Sequence, residues 1–299
     1  MRLDDLDPTN NARDLGSGGG GGGGGIPILG MLLPFLVRGK MGCGTIALLL
    51  VVGAFYLFSG GLGGLTGGGG APATRQQGGT AGQQGAAVCN TEERLLACRV
   101  VASTEQVWGK IFQASGQEYQ PTTINFYQGG TDSGCGSATS AAGPFYCPTD
   151  RGIFLDTTFF DELANRFGAQ GDAAQAYVIA HEVGHHIQNL TGQAGKVNAI
   201  QQRGSKAEGN AASVLLELQA DCFAGVWAKQ SGRLEPGDIE EGMTAANAIG
   251  DDTIQKQTQG TVVPDSFTHG SSADRMRWLK RGLDTGDPAQ CDTFAGSGI

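Results

Sequence analysis

Histidine is scarce in this chain: there are four in 299 residues, and three of them, His181, His185 and His186, fall together. Charge is thin as well. Only 16% of residues are Asp, Glu, Lys or Arg, and the formal balance is −9. No cluster of Lys and Arg is interleaved with aromatics, so the basic face that a nucleic-acid partner needs is missing. The seven cysteines include no Cys-x-x-Cys pair, which leaves no spacing that favours a cysteine-bound structural metal. Between Lys40 and Arg75 there is no basic residue, and Gly42 to Phe58 carries no charge of either sign.

That last absence organises the N-terminal part. Residues 1–25 are polar and then glycine-only, with an unbroken run from Gly18 to Gly25, and they read as a disordered tail with a flexible spacer. Ile26 to Val37 is apolar but too short to span a bilayer, and it holds Pro27 and Pro34. Residues 26–62 are therefore read as a membrane segment whose span covers about 42–61, long enough for one transmembrane helix. Arg38 and Lys40 precede the span, so the positive-inside rule puts the N-terminus in the cytoplasm and everything after the span outside, a single-pass inner-membrane arrangement. Residues 63–87, rich in Gly and Gln, read as a tether, and 88–299 as one domain large enough for its own core.

What is present is concentrated in that domain. His181-Glu182-Val183-Gly184-His185 lies in an apolar run with Gly171-Asp172 as its start signal, Gln175 as a capping partner and Gly192 as its stop. On a helix the two histidines are four residues apart and share a face, a geometry suited to a zinc ion. Glu182 then lies beside the metal, where it can take a proton from the water that such an ion activates. A third ligand is needed, and Glu217 in Leu-Leu-Glu-Leu-Gln-Ala-Asp is the candidate. Asp221, four residues on, is placed to accept the outward N–H of a ligating histidine. Both carboxylates share a helical face with Ala220, Ala224 and Ala228, small enough for another helix to come close. The fourth histidine, His269, precedes a helix that Ser271 or Ser272 can cap. There it can offer a donor to a developing oxyanion, and Arg275 can anchor a substrate carbonyl or orient Glu182.

Taken together, His-Glu-Val-Gly-His-His, the Glu217-x-x-Ala-Asp221 spacing and the Thr-His269-Gly-Ser-Ser-x-x-Arg275 segment resemble the bacterial neutral zinc metallopeptidases, which are typically membrane-anchored. The first two motifs are also similar to the wider gluzincin group. The resemblance covers roughly residues 88–299. It implies an α+β, zincin-like domain holding one zinc through His181, His185 and Glu217, with Glu182 as base and a peptide or protein as substrate.

Six cysteines remain beyond Cys43 at the membrane edge, an even number that fits an oxidising compartment. Fifteen connectivities are available to six cysteines; local pairing is expected for Cys89–Cys98 and Cys135–Cys147, with Cys222–Cys291 fastening the C-terminus to the Glu217 helix. Residues 91–113 read as one or two helices, Thr122 to Tyr127 as a strand, and Phe145 to Cys147 with Gly152 to Asp156 as a pair of strands. Thr158 to Phe167 reads as a helix, and residues 192–210 as a polar loop. Either strand of that pair is a candidate edge for an extended peptide. Asn189-Leu190-Thr191 matches a glycosylation sequon, read as coincidence at a helix end. Two other functions are compatible with the same residues: a scaffold that keeps zinc for structure alone, and a hydrolase of some other amide. A fourth protein ligand would favour the first and a closed small pocket the second.

Overall fold

A computed structural model of the chain describes residues 1–17 and 83–298. Thr91 opens the first helix, α1 (Glu92–Ala114), by accepting the Arg94 N–H, and Glu92 and Glu93 face the positive helix end, so residues 91–113 form one helix. Three strands and a reversal follow: β2 (Thr123–Gln128), the hairpin β3 (Gly130–Ser133) and β4 (Gly136–Thr139), β5 (Phe145–Cys147) and β6 (Gly152–Leu155). Before them in the chain comes β1 (Ala12–Ser17). The main sheet runs β1-β2-β6-β5, with β1, β2 and β6 parallel and β5 antiparallel to β6. Thus β6 is internal and β5 is an end strand.

The helical half is α2 (Thr158–Asn165), α3 (Asp172–Leu190), α4 (Gln193–Arg203), α5 (Lys206–Ser231), α6 (Asp238–Ala248), α7 (Asp251–Gln259) and α8 (Ser272–Thr285). Two start signals differ from expectation. Gly171 caps α3 through its backbone at φ 106°, with no side-chain cap, and Gln175 takes no part in a capping box. Residues 192–210 are not a loop: Gly192, at φ 78°, turns the chain into α4, and a full capping box between Ser205 and Glu208 starts α5. Their polar composition reflects a solvent-facing helix, since Val197 is the one residue of α4 that is buried.

Ile124, Phe126, Ile153 and Leu155 from the sheet, Val100 and Trp108 from α1, and Ile179, Val183 and Ile187 from α3 close into one core. Each such side chain contributes about 1.5–3 kcal/mol by leaving water. Glycine sets the closest helix approaches. A Cβ on Gly184 would lie 2.9 Å from the Ala220 Cα, so α3 and α5 nearly touch at this point. Gly282 of α8 lies against the Cys222 carbonyl of α5 in the same way. The disulfides are the locally paired Cys89–Cys98 and Cys135–Cys147, and Cys222–Cys291, which ties the C-terminal segment to α5 as expected.

The first seventeen residues correct the expected tail. Leu3 and Leu6 are buried in the core, and Thr9 and Asn11 hydrogen-bond Glu105 of α1. β1 pairs with β2 from Ala12↔Ile124 onwards, and its other side bonds to residues 83–85, the end of the expected tether. Alternating polarity was masked by a short strand whose partner lies more than a hundred residues away. Hydrogen-bonded strands share a compartment, so one membrane crossing cannot stand between residues 1–17 and the rest of the domain. The proposed span at 42–61, Cys43 and most of the tether lie outside the described residues. Among those that are described, no helix is long and apolar enough to cross a membrane.

Candidate metal centre

His181 and His185 stand one turn apart on α3, and Glu217 reaches them from α5 across the Gly184–Ala220 contact. The two Nε2 atoms are 3.1 Å apart. Glu217 Oε2 is 3.1 Å from His181 Nε2, and its Oε1 is 3.4 Å from His185 Nε2. Each ring is oriented from behind. His181 Nδ1 donates to Asp221 at 2.7 Å, and His185 Nδ1 donates to the Gln188 side-chain oxygen at 2.9 Å. With Nδ1 donating, each neutral ring presents a lone pair at Nε2, so two imidazoles and a carboxylate can aim acceptors at one point. Such a donor set fits a divalent cation of the zinc type.

Electrostatics agree. Burial opposes charge on His181, but Asp221 and Glu217 outweigh it and raise its pKa to about 10. Burial likewise opposes ionisation of Glu217, yet the two histidines hold its carboxyl well below the usual range. The place is built to hold positive charge.

Asp221 is completely buried and accepts three hydrogen bonds besides that of His181. Arg275 from α8 grips it twice, Nε to Oδ2 and Nη2 to Oδ1, both at 2.9 Å, and the Tyr177 hydroxyl donates to it at 2.7 Å. Arg275 also donates to the Ile249 carbonyl. Its nitrogens are thereby spent behind the ligands, so the expected direct contact with substrate or Glu182 is replaced by a positioning role. The cause is the α5–α8 approach at Gly282, which brings the guanidinium onto Asp221.

Glu182 and His269 face the opening. Both line a cleft of about 480 Å³ with the three metal-site residues, Phe145, Tyr146, Phe159, Val178, Leu216 and Ile254. Burial pushes the Glu182 carboxyl above its ordinary value, which suits a group that must accept a proton near neutral pH. His269 stands in the loop before α8, its Nδ1 against Asp251 at 3.2 Å. The same carboxylate accepts the backbone N–H groups of Thr268, His269 and Gly270. Among the described residues, His269 is not part of the ligand group. Gln188, Tyr177 and Asp251 have no counterpart in the sequence reading. Amides and phenols form no motif, and Asp251 lies far from its partners in sequence.

A small mixed sheet beside crossed helices that carry a His-His-Glu set and an adjacent carboxyl fits a zincin-like α+β domain. The chain belongs to the neutral zinc metallopeptidase family: residues 1–294 match the family described as "Putative neutral zinc metallopeptidase". It is 54% identical over 201 residues to the Escherichia coli (strain K12) protein "Uncharacterized protein YpfJ", covering 66% of this chain and 70% of that one. It is 44% identical over 224 residues to "Uncharacterized protein Mb2605" of Mycobacterium bovis, covering 69% and 73%. No solved structure matches it.

Proposed function

We propose that this chain is a peptidase that holds one zinc ion and hydrolyses peptide bonds in a peptide or protein substrate. When bound, the ion supplies a Lewis acid that acidifies a water and polarises the scissile carbonyl. His181, His185 and Glu217 would hold it, while Asp221 and Gln188 keep both imidazoles in the ligating tautomer. Glu182 accepts the proton of the attacking water and passes it to the leaving nitrogen. His269, oriented by Asp251, donates to the oxygen that gains charge.

The observation that carries this reading is the ligand count. The group comprises His181, His185 and Glu217 with no fourth protein ligand among the described residues, and it opens on a cleft beside an end strand. A structural site would be closed, and a small-amide pocket would not run beside a free strand. Since β6 is internal, β5 is the strand available to an extended chain. Glu182→Gln should keep full zinc occupancy and lose roughly 10²–10⁴-fold in cleavage of a peptide library. Retained cleavage in that variant would sink the assignment.

The reading extends to location. Three disulfides support action in an oxidising compartment outside the cytoplasm, and residues 26–62 support attachment to a membrane. Both flanks of that segment are then on the same face, because β1 belongs to the catalytic domain. The net charge of −9 supports the absence of a nucleic-acid partner.

A further inference from the structure

His186 follows the ligand His185 but points elsewhere, because one residue advances about 100° around a helix. Its ring is fully buried between α3 and the sheet, edge-on to Tyr119. Nε2 is 2.6 Å from the Gln120 carbonyl, an obligatory acceptor, so Nε2 carries the hydrogen. Nδ1 is 3.0 Å from the Tyr146 hydroxyl. The Asn189 side-chain amide, three residues further along α3, donates to that hydroxyl oxygen at 3.0 Å and reaches the Pro148 carbonyl at 3.4 Å. The hydroxyl therefore receives one hydrogen from Asn189 and gives its own to His186 Nδ1. Both ring nitrogens and the Tyr146 hydroxyl have partners in this arrangement, and the direction of each bond is set.

Tyr146 is the middle residue of β5, which is three residues long and bonded to the sheet on one side only. Short end strands are weakly held by their ladder alone. Tyr146 also lines the cleft. We propose that His186 is a positioning residue for substrate binding: with Asn189 it clamps Tyr146, and so fixes the free edge of β5 relative to the ligand histidines on the same helix. The clamp makes the distance from metal site to strand a property of α3 itself. This inference rests on the peptidase reading, because a strand edge at a set distance matters to an extended peptide and not to a small amide.

Two variants remove the same bond from opposite ends. His186→Gln keeps a donor for Gln120 and replaces the fixed ring nitrogen that accepts from Tyr146 with an amide oxygen on a flexible arm; Tyr146→Phe loses only the hydroxyl. With a peptide of six or more residues, each should raise KM roughly tenfold, the worth of one buried hydrogen bond, with kcat within about twofold of wild type. Zinc content should be unchanged, and the double variant should be no worse than either single one. A substrate too short to lie along β5 should show no KM change. Additive effects, a fall in kcat at constant KM, or loss of zinc would overturn the proposal. If the wild-type protein cleaves no peptide, the peptidase reading fails by itself, and the clamp is then read by amide exchange in the zinc-loaded protein. The amides of Phe145 to Cys147 should exchange faster in His186→Gln while α3 stays protected; unchanged exchange overturns the clamp.

Discussion

His269 shows how much a site residue owes to its neighbour. The hydrogen bond it donates to Asp251 raises its pKa, against a smaller opposing effect of burial, and Asp251 in turn is held below its usual value. The pair therefore stabilises the fold fully below the unfolded histidine value of about 6.5, and that contribution is lost as pH rises through the raised folded value. Catalysis should follow the same sign. His269 donates to the oxyanion best as the imidazolium, so kcat/KM should fall on the alkaline side as it deprotonates. Asp251→Asn should move that alkaline limb to lower pH, and a pH–rate profile with an unmoved limb would remove His269 from the mechanism. Most of the reacting groups were legible in sequence, because two histidines with a carboxyl between them and an acidic pair at helical spacing are rare on apolar helices. Their orienters were not: Tyr177 and His186 become meaningful only when a partner from another element arrives, and Gln188, three residues after His185, belongs to no motif. Arg275 was legible as a site residue and misread in role, since nothing local says that its guanidinium meets Asp221.

Among the elements, α3 and α5 matter most, and their separation is set by one missing side chain. Gly184→Ala places a Cβ 2.9 Å from the Ala220 backbone, a contact that neither helix can relieve by rotating a side chain. Alanine favours a helix over glycine by about 1 kcal/mol, but overpacking costs about 1–3 kcal/mol, so destabilisation should win or nearly cancel. The informative readout is zinc affinity: pushing α5 away moves Glu217 from the histidines, and competition with a chelator should show weaker binding even where the denaturation midpoint hardly moves. Wild-type affinity in Gly184→Ala would mean that the helices have slack. The element pattern itself was largely readable. Strong periodicity gave α1, α3, α5 and α8, and short β-rich runs gave β2, β5 and β6. Residues 192–210 were misread because an exposed helix carries the same polar residues as a loop, and β1 because a six-residue edge strand has too little periodicity of its own.

For the molecule as a whole, the sheet is discontinuous in sequence: its first strand is Ala12–Ser17 and its second begins at Thr123. Reporters fused at the two ends should therefore give the same compartment, and an impermeant thiol reagent should label cysteines introduced at exposed Asp4 and at exposed Asp284 together or not at all. Labelling of one without the other would contradict the β1–β2 pairing. The positive-inside argument treats the apolar segment in isolation, and the charges flanking a span do not reveal that both flanks fold together.

The sequence by itself determined the candidate site. His181 with His185, and Glu217 with Asp221, were paired by helical spacing, and Cys89–Cys98 and Cys135–Cys147 by proximity along the chain, because both depend on local geometry. Only the tertiary structure decided what turns and holds those groups. Arg275 behind Asp221, Tyr146 against His186, β5 as the free edge and residues 1–17 as part of the core each require two distant segments to meet. Such meetings are set by packing against the common core, which no window of sequence contains.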